Sequence, residues 1–219
     1  MKFDIITIFP VFFESFKKEA LISRAQDKKL ISINPIDLRE YADDERGTID
    51  GRPYGGGAGM VFLFQPIFKA LKALKKKKKI KVIVFNPKGK KFNQEMARKW
   101  SKLDQLVMIC GRYEGIDERV MAELVDEEIS IGDYVLFGGE VPAMVVMEAV
   151  TRLIPGAVAK EESTRNESFS EGTNLEHPQY TRPEIITVGK KKLKVPKVLL
   201  SGDHKKINEW REKNSRIDE

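Results

Sequence analysis

The chain has 219 residues, of which 41% are hydrophobic, which is enough for one sizeable core and a small second domain. One cysteine, two histidines and no long uncharged apolar run argue against a disulfide framework, an ordinary zinc site and a membrane-spanning helix. A net charge of +6 permits a nucleic-acid partner without establishing one. We expect a cytoplasmic protein with no membrane partner, since the N-terminus is typical of a first strand rather than a signal peptide.

Apolar runs typical of strands alternate with segments typical of helices along the first part of the chain. The predicted strands cover residues 3–9, 31–35, 80–85, 105–110 and 133–137. The predicted helices cover residues 11–25, 66–75, 92–102, 116–124 and 140–154. This alternation predicts an α/β fold with a mostly parallel sheet covered on both faces.

The composition changes near residue 157, where a polar segment without periodicity begins. We expect a main domain over 1–156, a flexible linker over 157–177 and a small, helical C-terminal domain over 178–219. Ser201 or Asp203 is expected to cap the last helix.

Two lysine clusters supply much of the positive charge. The run 75–79 precedes a predicted strand and is typical of a solvated helix end, because cations suit a helix C-terminus. The lysines at 190–192 and 194 lie in the C-terminal part, where an RNA contact is more plausible. The pattern therefore favours a nucleic-acid contact near the end of the chain.

Two glycine-bearing loops suggest a ligand pocket. The loop 110–119 follows the apolar run 106–109, and a second loop of the same kind covers 130–140. Ligands of open α/β sheets bind at the carboxyl ends of strands. Because glycine lets a ligand come close to the main chain, we expect a pocket built largely from backbone.

A third glycine-rich segment, 51–60, carries five glycines in ten residues. Such a loop can place successive N–H groups around a phosphate or a base edge. It is not a P-loop, because no lysine followed by serine or threonine closes it. A flexible surface loop is the alternative, but Arg52 and Tyr54 among the glycines favour a function.

The acidic side chains after the first pocket loop allow two interpretations. Glu114, Asp117 and Glu118 resemble a metal cluster, but without histidines and at a helix start they are more typical of a favourable dipole arrangement. Glu114 stands out because it lies beside Gly115 in the loop. Cys110 fits a core residue better than a nucleophile, since no histidine is near it in sequence.

Five motifs in order give the chain a family resemblance. They are residues 52–57, 110–119, 130–136 with 138–140, 180–183 and 201–202. Together they resemble the bacterial tRNA (guanine-N1)-methyltransferases of the SPOUT superfamily, which modify the guanine 3′ to the anticodon. The resemblance runs from residue 1 to about residue 212.

The resemblance implies an α/β domain with a deep trefoil knot in its C-terminal half. It also implies a homodimer with active sites at the subunit interface, and the tRNA anticodon stem-loop as partner. S-adenosylmethionine would be the methyl donor, held in the knot. Magnesium is linked to methyl transfer in the family, although the sequence shows no ordinary site for it. The implied donor-binding residues are Phe85, Asn86, Pro87, Gly111, Tyr113, Glu114, Ile131, Gly132, Asp133, Tyr134, Val135, Leu136, Gly138, Gly139 and Pro142.

The resemblance also implies the catalytic residues. The family arginine falls on Arg152, which would stabilise charge on the guanine O6. The family's aspartate base is replaced here by Glu167, with Glu162 and Glu171 as other candidates. The implied substrate-binding residues are Asp50, Arg52, Gly55, Gly56, Gly57 and Gly59.

Three other functions compete with this one. A SPOUT enzyme acting on another RNA is disfavoured by the motifs after residue 178, which lie outside the shared knot. An RNA-binding protein without catalysis is disfavoured by the intact pocket loops. A nucleotide hydrolase is the most distant, because the glycine loop lacks the required lysine and hydroxyl.

Overall fold

A five-stranded sheet organises the first of the two units into which the chain divides, Met1–Ala159 and Lys160–Glu219. The computed structural model describes residues 1–158, 168–169 and 174–217. In chain order the elements of the first unit are β1 (Lys2–Thr7), α1 (Phe12–Lys18), α2 (Ala20–Asp27), β2 (Ser32–Asp37), a 3-10 turn (Leu38–Tyr41), β3 (Asp50–Gly51), β4 (Val61–Phe62), α3 (Phe64–Ala73), β5 (Ile80–Lys91), α4 (Gln94–Trp100), β6 (Gln105–Ile109), α5 (Glu118–Leu124), β7 (Glu127–Ser130) and α6 (Glu140–Thr151).

The sheet is parallel throughout and confirms the predicted α/β class. Its strand order is β2-β1-β6-β5-β7, and each neighbouring pair is parallel. Short antiparallel strands β3 and β4 form a separate pair. β1 pairs with β2 on one side and with β6 on the other. The pairing of β1 with β6 joins residues about a hundred positions apart in sequence.

Both faces of the sheet are buried under helices. Successive side chains of β6 point to opposite faces, so Leu106 and Met108 enter one core cluster while Val107 and Ile109 enter the other. Helices α1, α2, α4 and α6 cover the first cluster, and α3 and α5 cover the second. This explains the nearly continuous apolar run of β6, since a strand buried on both faces does not alternate with polar residues.

The strand predicted over 133–137 is wrong. The fifth strand is β7, residues 127–130, which pairs with β5. The sequence did not predict this strand because it begins with two acidic residues, Glu127 and Glu128. In the structure Glu127 forms ion pairs with Lys81 and Lys90. The apolar side chains of 134–137 are exposed in a loop instead. Apolar composition alone does not distinguish a buried strand from an exposed apolar loop.

The helix predicted over 11–25 is two helices. Glu19 adopts an extended conformation between α1 and α2 and interrupts the helical run. The break lets Phe13 of α1 and Ile22 and Ala25 of α2 all pack into the same core cluster. The other predicted helices agree with α3, α4, α5 and α6 to within a few residues at each end.

The second unit combines short strands with one longer helix. Its elements are β8 (Asn174–Leu175), β9 (Ile185–Val188), β10 (Lys191–Lys194), a 3-10 turn (Lys197–Leu200), α7 (His204–Asn214) and β11 (Arg216–Ile217). Strands β9 and β10 form an antiparallel hairpin, and β8 pairs with β11. Asp203 caps α7 by accepting a hydrogen bond from the Lys206 backbone N–H at 3.2 Å, which settles the predicted choice of cap. Trp210 contacts His177 and Tyr180 edge-on. Across the described residues of both units, no helix is long and apolar enough to span a bilayer.

The central position of β6 leads to a stability prediction. Leu106→Ala should lower the free energy of unfolding by about 2–5 kcal/mol, because the side chain is fully buried and its removal leaves a cavity. Leu21→Ala is the matched control, since that leucine of α2 is 45% exposed and its replacement should lower the free energy of unfolding by less than about 1 kcal/mol. Urea unfolding of both variants measures the difference. Equal losses would contradict the placement of β6 at the centre of the core.

Candidate active site

A cavity of about 410 Å³ opens at the carboxyl ends of β5, β6 and β7. This is the edge of a parallel sheet at which ligands of α/β proteins bind. Three stretches of chain supply most of its wall: residues 85–88, 111–118 and 129–142. Of the predicted donor-binding residues, the cavity is lined by Phe85, Asn86, Pro87, Gly111, Tyr113, Glu114, Ile131, Gly132, Tyr134, Val135, Leu136, Gly138, Gly139 and Pro142.

Asp133 is the predicted member that does not line the cavity. Its carboxylate forms an ion pair with Lys91, and both side chains are largely exposed. Lys91 ends β5, so the pair joins β5 to the loop after β7. The loop's acidic side chain therefore faces away from the cavity that the neighbouring residues enclose.

A looped-out segment of β5 forms the first wall. Phe85 and Lys90 both oppose Ile129 of β7, so residues 86–89 leave the regular pairing. The Asn86 side-chain amide donates a hydrogen bond to Glu128 at 2.6 Å and accepts one from the Lys88 N–H at 3.1 Å. These bonds hold the loop over the end of the sheet and place Phe85 to Lys88 in the cavity wall.

The loop after β6 forms the second wall. Tyr113 has a left-handed φ of 60°, and its ring contacts Phe62 edge-on with centroids 5.6 Å apart. Main-chain hydrogen bonds from Glu114 N to Met60 O and from Phe62 N to Gly115 O attach this loop to β4 and the residues before it. The loop is therefore fixed at both its aromatic and its main-chain contacts.

The third wall carries an exposed apolar surface. The Ser130 hydroxyl donates a hydrogen bond to the Gly132 carbonyl and accepts one from the Gly132 N–H. The Tyr134 hydroxyl donates to the Ile131 carbonyl at 3.1 Å. Beyond this turn, Val135 is 84% exposed and Phe137 is 93% exposed. A run of exposed apolar side chains at the mouth of a cavity is typical of a surface that a ligand or a partner covers.

Close backbone approach at Gly138 and Gly139 brings the second and third walls together. The Gly139 N–H donates to the Gly111 carbonyl at 3.1 Å, and the main chains of Gly138 and Arg112 form an isolated antiparallel β-bridge. A Cβ at Gly139 would stand 2.7 Å from the Cys110 Cα, and one at Gly138 would stand 2.2 Å from Arg112 Nε. A side chain at Gly139 would meet the Cys110 backbone, so glycine is required there, as expected where one main chain comes close to another.

Sequence reasoning missed a buried carboxylate beside this contact. Glu140 is 1% exposed and accepts hydrogen bonds from Thr7 Oγ1 at 2.8 Å and from Arg112 Nε at 2.9 Å. Its sequence signal, an acid in the first turn of a helix, predicts a favourable dipole and no burial. The contact joins residues 133 positions apart, which local pattern cannot predict.

The glycine-rich loop lies beside the cavity wall. Asp50 and the rest of β3 pair with β4, and Arg52 and the glycines between the strands are exposed. Gly55, Gly56 and Gly57 have no neighbour within 4 Å of a Cβ position, whereas a Cβ at Gly59 would stand 2.5 Å from Glu114 Oε1. The predicted substrate-binding loop thus packs against Glu114 at one end and is open at its tip.

Arg152, the predicted catalytic arginine, does not line the cavity of this one chain. Arg152 is the C-cap residue of α6, and the 12 residues of that helix separate it from the Gly139 end by about 18 Å. Glu167 and the other candidate bases, Glu162 and Glu171, lie outside the described residues.

Electrostatics around the cavity distinguish the roles of Cys110 and Asp117. Burial raises the pKa of the Cys110 thiol well above its ordinary value, and the Glu140 charge raises it further, so Cys110 is an inert core residue. The hydrogen bond from Arg119 lowers the pKa of Asp117, which also caps α5. Within residues 1–158, 168–169 and 174–217, no group of three or more His, Cys, Asp or Glu side chains could hold a metal ion.

Comparisons with known proteins agree with this geometry. The family model described as tRNA (Guanine-1)-methyltransferase TrmD matches residues 1–218. A tRNA (guanine-N(1)-)-methyltransferase of Ruminiclostridium cellulolyticum is 48% identical over 217 residues, covering 98% of this chain and 91% of the relative. One from Carboxydothermus hydrogenoformans is 50% identical over 215 residues, covering 98% and 83%. One from Bacillus pumilus is 48% identical over 217 residues, covering 98% and 87%.

Each of these relatives exceeds the similarity at which family membership is secure, and the family model spans nearly the whole chain. The second and third cavity walls come from segments that carried the family resemblance in the sequence. The chain therefore belongs to the tRNA (guanine-N1)-methyltransferase family.

Proposed function

We propose that the enzyme transfers a methyl group from S-adenosylmethionine to N1 of guanine 37 in tRNAs that have a guanine on its 5′ side. The observation that carries the proposal is the cavity at the ends of β5, β6 and β7, two of whose walls meet at Gly138 and Gly139. Its volume of about 410 Å³ lies in the range typical of small-molecule sites. In a methyltransferase, such a cavity suits the methyl donor.

The cavity residues fit the donor. Main-chain groups of 111 and 131–136 would bind the adenine, and Tyr113 and Leu136 would pack on its faces. Glu114 is exposed at the wall, where its carboxylate would lie near the cationic methionine end. When bound, the donor supplies an electrophilic methyl carbon on a sulfonium. The close approach at Gly139 supports this assignment, because a side chain there would displace the wall.

The guanine must be deprotonated for this reaction. N1 carries a proton at neutral pH and is a poor nucleophile until a base removes it. We assign that base to Glu167, whose carboxylate takes the proton as N1 bonds to the methyl carbon and the sulfur keeps the electrons of the broken bond. Negative charge then grows on O6, where the Arg152 guanidinium would stabilise it.

A second copy of the chain completes the site in this proposal. Arg152 lies about 18 Å from the cavity end of its own α6, too far to touch a guanine held there. The apolar residues Val135 and Phe137 at the cavity mouth, and Val141 and Val145 on α6, are exposed in the single chain. A homodimer would cover these residues and place the active site at the subunit interface.

The path of the chain around the cavity supports a trefoil knot in the second half of the first domain. The segment before α6 bonds to the loop after β6 through Gly139 and Gly138, and a Cβ at Gly139 would stand 3.2 Å from the Phe85 ring of β5. We propose that these three segments thread through one another, as the family resemblance implies. The domain boundaries follow: 1–156 for donor binding, 157–177 as linker and 178–219 for tRNA binding.

The second unit has the surface expected of an RNA-binding domain. The hairpin of β9 and β10 exposes Lys191, Lys192 and Lys194. Lys205 and Lys206 are exposed at the start of α7. We propose that these lysines contact phosphates of the anticodon stem-loop, in a cytoplasmic enzyme, and that binding weakens as salt rises. The open tip of the glycine loop, with Asp50 and Arg52, would approach the flipped-out guanine.

Magnesium has no dedicated site among the residues that the structure describes, since no cluster of ligands is placed to hold it. No step of the proposed reaction is assigned to a metal.

The first prediction concerns the substrate. An unmodified tRNA transcript with guanines at 36 and 37 should accept label from S-adenosylmethionine at N1 of guanine 37. The same transcript with adenine at 37 should accept none. Label in both, or at another nucleotide, would contradict the proposed position. Donor binding without transfer to either would instead indicate an RNA-binding protein that lacks catalysis.

The second prediction concerns the base. Glu167→Gln should lower the single-turnover rate of methyl transfer by about 100-fold to 1,000-fold, because the amide cannot accept the N1 proton. Donor affinity should stay unchanged. Glu162→Gln and Glu171→Gln are matched controls that should keep nearly full rate. A normal rate in Glu167→Gln would rule out its role, and a loss in either control would move the base there.

The third prediction concerns the donor pocket. Gly139→Ala should weaken S-adenosylmethionine binding at least about tenfold, because its Cβ would meet the Cys110 backbone at 2.7 Å. Gly156→Ala is the control: its left-handed φ of 82° makes alanine costly for stability, but it lies at the end of α6 opposite the cavity. Calorimetric titration of folded samples checks both. Equal weakening in the two variants would contradict the pocket assignment.

A further inference from the structure

Three separate parts of the chain meet at the buried carboxylate of Glu140. Thr7 stands at the end of β1, Arg112 in the loop after β6, and Glu140 in the first turn of α6. Glu140 is 1% exposed, and Oε1 accepts from Thr7 while Oε2 accepts from Arg112. Each carboxylate oxygen therefore holds a different segment.

Arg112 is confined by this contact and by the main chain. Its side chain crosses Gly138 so closely that a Cβ there would stand 2.2 Å from Nε and 2.7 Å from Glu140 Oε2. The main chains of Arg112 and Gly138 also form an antiparallel bridge. The arginine thus ties the second cavity wall to the third through both its backbone and its side chain.

Two aromatic rings hold the other side of the guanidinium. The Arg112 Cζ lies 4.8 Å from the centroid of the Phe9 ring and 5.4 Å from that of the Phe12 ring. A guanidinium prefers the face of an aromatic ring, and this contact leaves Nε free for Glu140. With a carboxylate on one side and rings on the other, the side chain has little freedom to reorient.

The charges on Glu140 and Arg112 strengthen the contact between them. A charged hydrogen bond is stronger than a neutral one, and removing one partner of a buried ion pair leaves the other without compensation. The N-terminal end of α6 further favours a negative charge at Glu140. Loss of this charge would release Arg112, which itself lines the cavity.

We propose that Glu140 is a positioning residue for methyl-donor binding: it fixes Arg112, and through Arg112 the wall formed by residues 111–115, in the shape that accepts the donor. Thr7 acts with it by orienting the carboxylate. Glu140 touches neither substrate in this scheme. The inference rests on the proposed function, in which the cavity holds S-adenosylmethionine.

The test measures donor binding and turnover in Glu140→Gln. The KM and dissociation constant for S-adenosylmethionine should rise about tenfold, since a charged hydrogen bond becomes a neutral one. Turnover at saturating donor should change less than about threefold, and the KM for tRNA should change less than about twofold, because the residues assigned to tRNA binding lie on other segments of the chain. A general loss of structure would instead alter all three quantities together.

Asp4→Asn is the matched control. Asp4 is also fully buried on β1 and accepts hydrogen bonds from Asn34 and Gln105, but it lies three residues before Thr7, in the amino-terminal half of the strand. Its replacement should lower the melting temperature while leaving the donor dissociation constant within about twofold. A comparable rise in both variants would overturn the positioning role, because stability alone would then explain it.

Thr7 provides a milder second test if Glu140→Gln does not fold. Thr7→Val removes the hydroxyl at constant shape and should raise the donor dissociation constant about threefold, whereas Thr7→Ser keeps the hydroxyl and should bind normally. Normal binding by Glu140→Gln, or by Thr7→Val where the first variant is unfolded, overturns the inference. If the unaltered enzyme itself fails to bind S-adenosylmethionine, the proposed function fails instead, so the two failures are distinguishable.

Discussion

The site depends on one close contact between main chains, where Gly138 and Gly139 lie against the loop after β6. At Gly139 the backbone of Cys110 occupies the space that any side chain would need. The contact brings the loop after β6 and the loop before α6 together in one cavity wall. The shape of the cavity therefore depends on the path of the main chain at these two glycines.

The parallel sheet provides the rigid frame for that contact. Strands β5, β6 and β7 end at the same edge, so their loops start close together before any side chain contributes. The buried group of Thr7, Glu140 and Arg112 then fastens the loops to β1 and α6. The exposed apolar residues at the cavity mouth are the part of this frame that a single chain leaves uncovered.

Local patterns in the sequence predicted much of this arrangement, and the failures have physical causes. The apolar run of β6 and the glycines of its following loop were sufficient to predict a pocket at the sheet edge. The run 133–137 was wrongly predicted as a strand, because its exposed apolar side chains have the same composition as those of a buried strand. Glu140 could not be recognised, because its burial depends on Thr7, which is 133 residues away. The position of Arg152 relative to the cavity likewise depends on how long and straight α6 is.

The separation of Thr7 from Glu140 also bears on how the enzyme is made. During synthesis, β1 emerges early, but its neighbour β6 follows only after about a hundred residues, and α6 later still. Until then the Thr7 hydroxyl and the rings of Phe9 and Phe12 have none of the partners described here. Contacts this distant in sequence form slowly, because the entropy of closing a long loop is lost before the contacts can stabilise the chain. The pocket is therefore among the last features of its domain to appear, and a nascent chain cannot hold its ligand before α6 has left the ribosome.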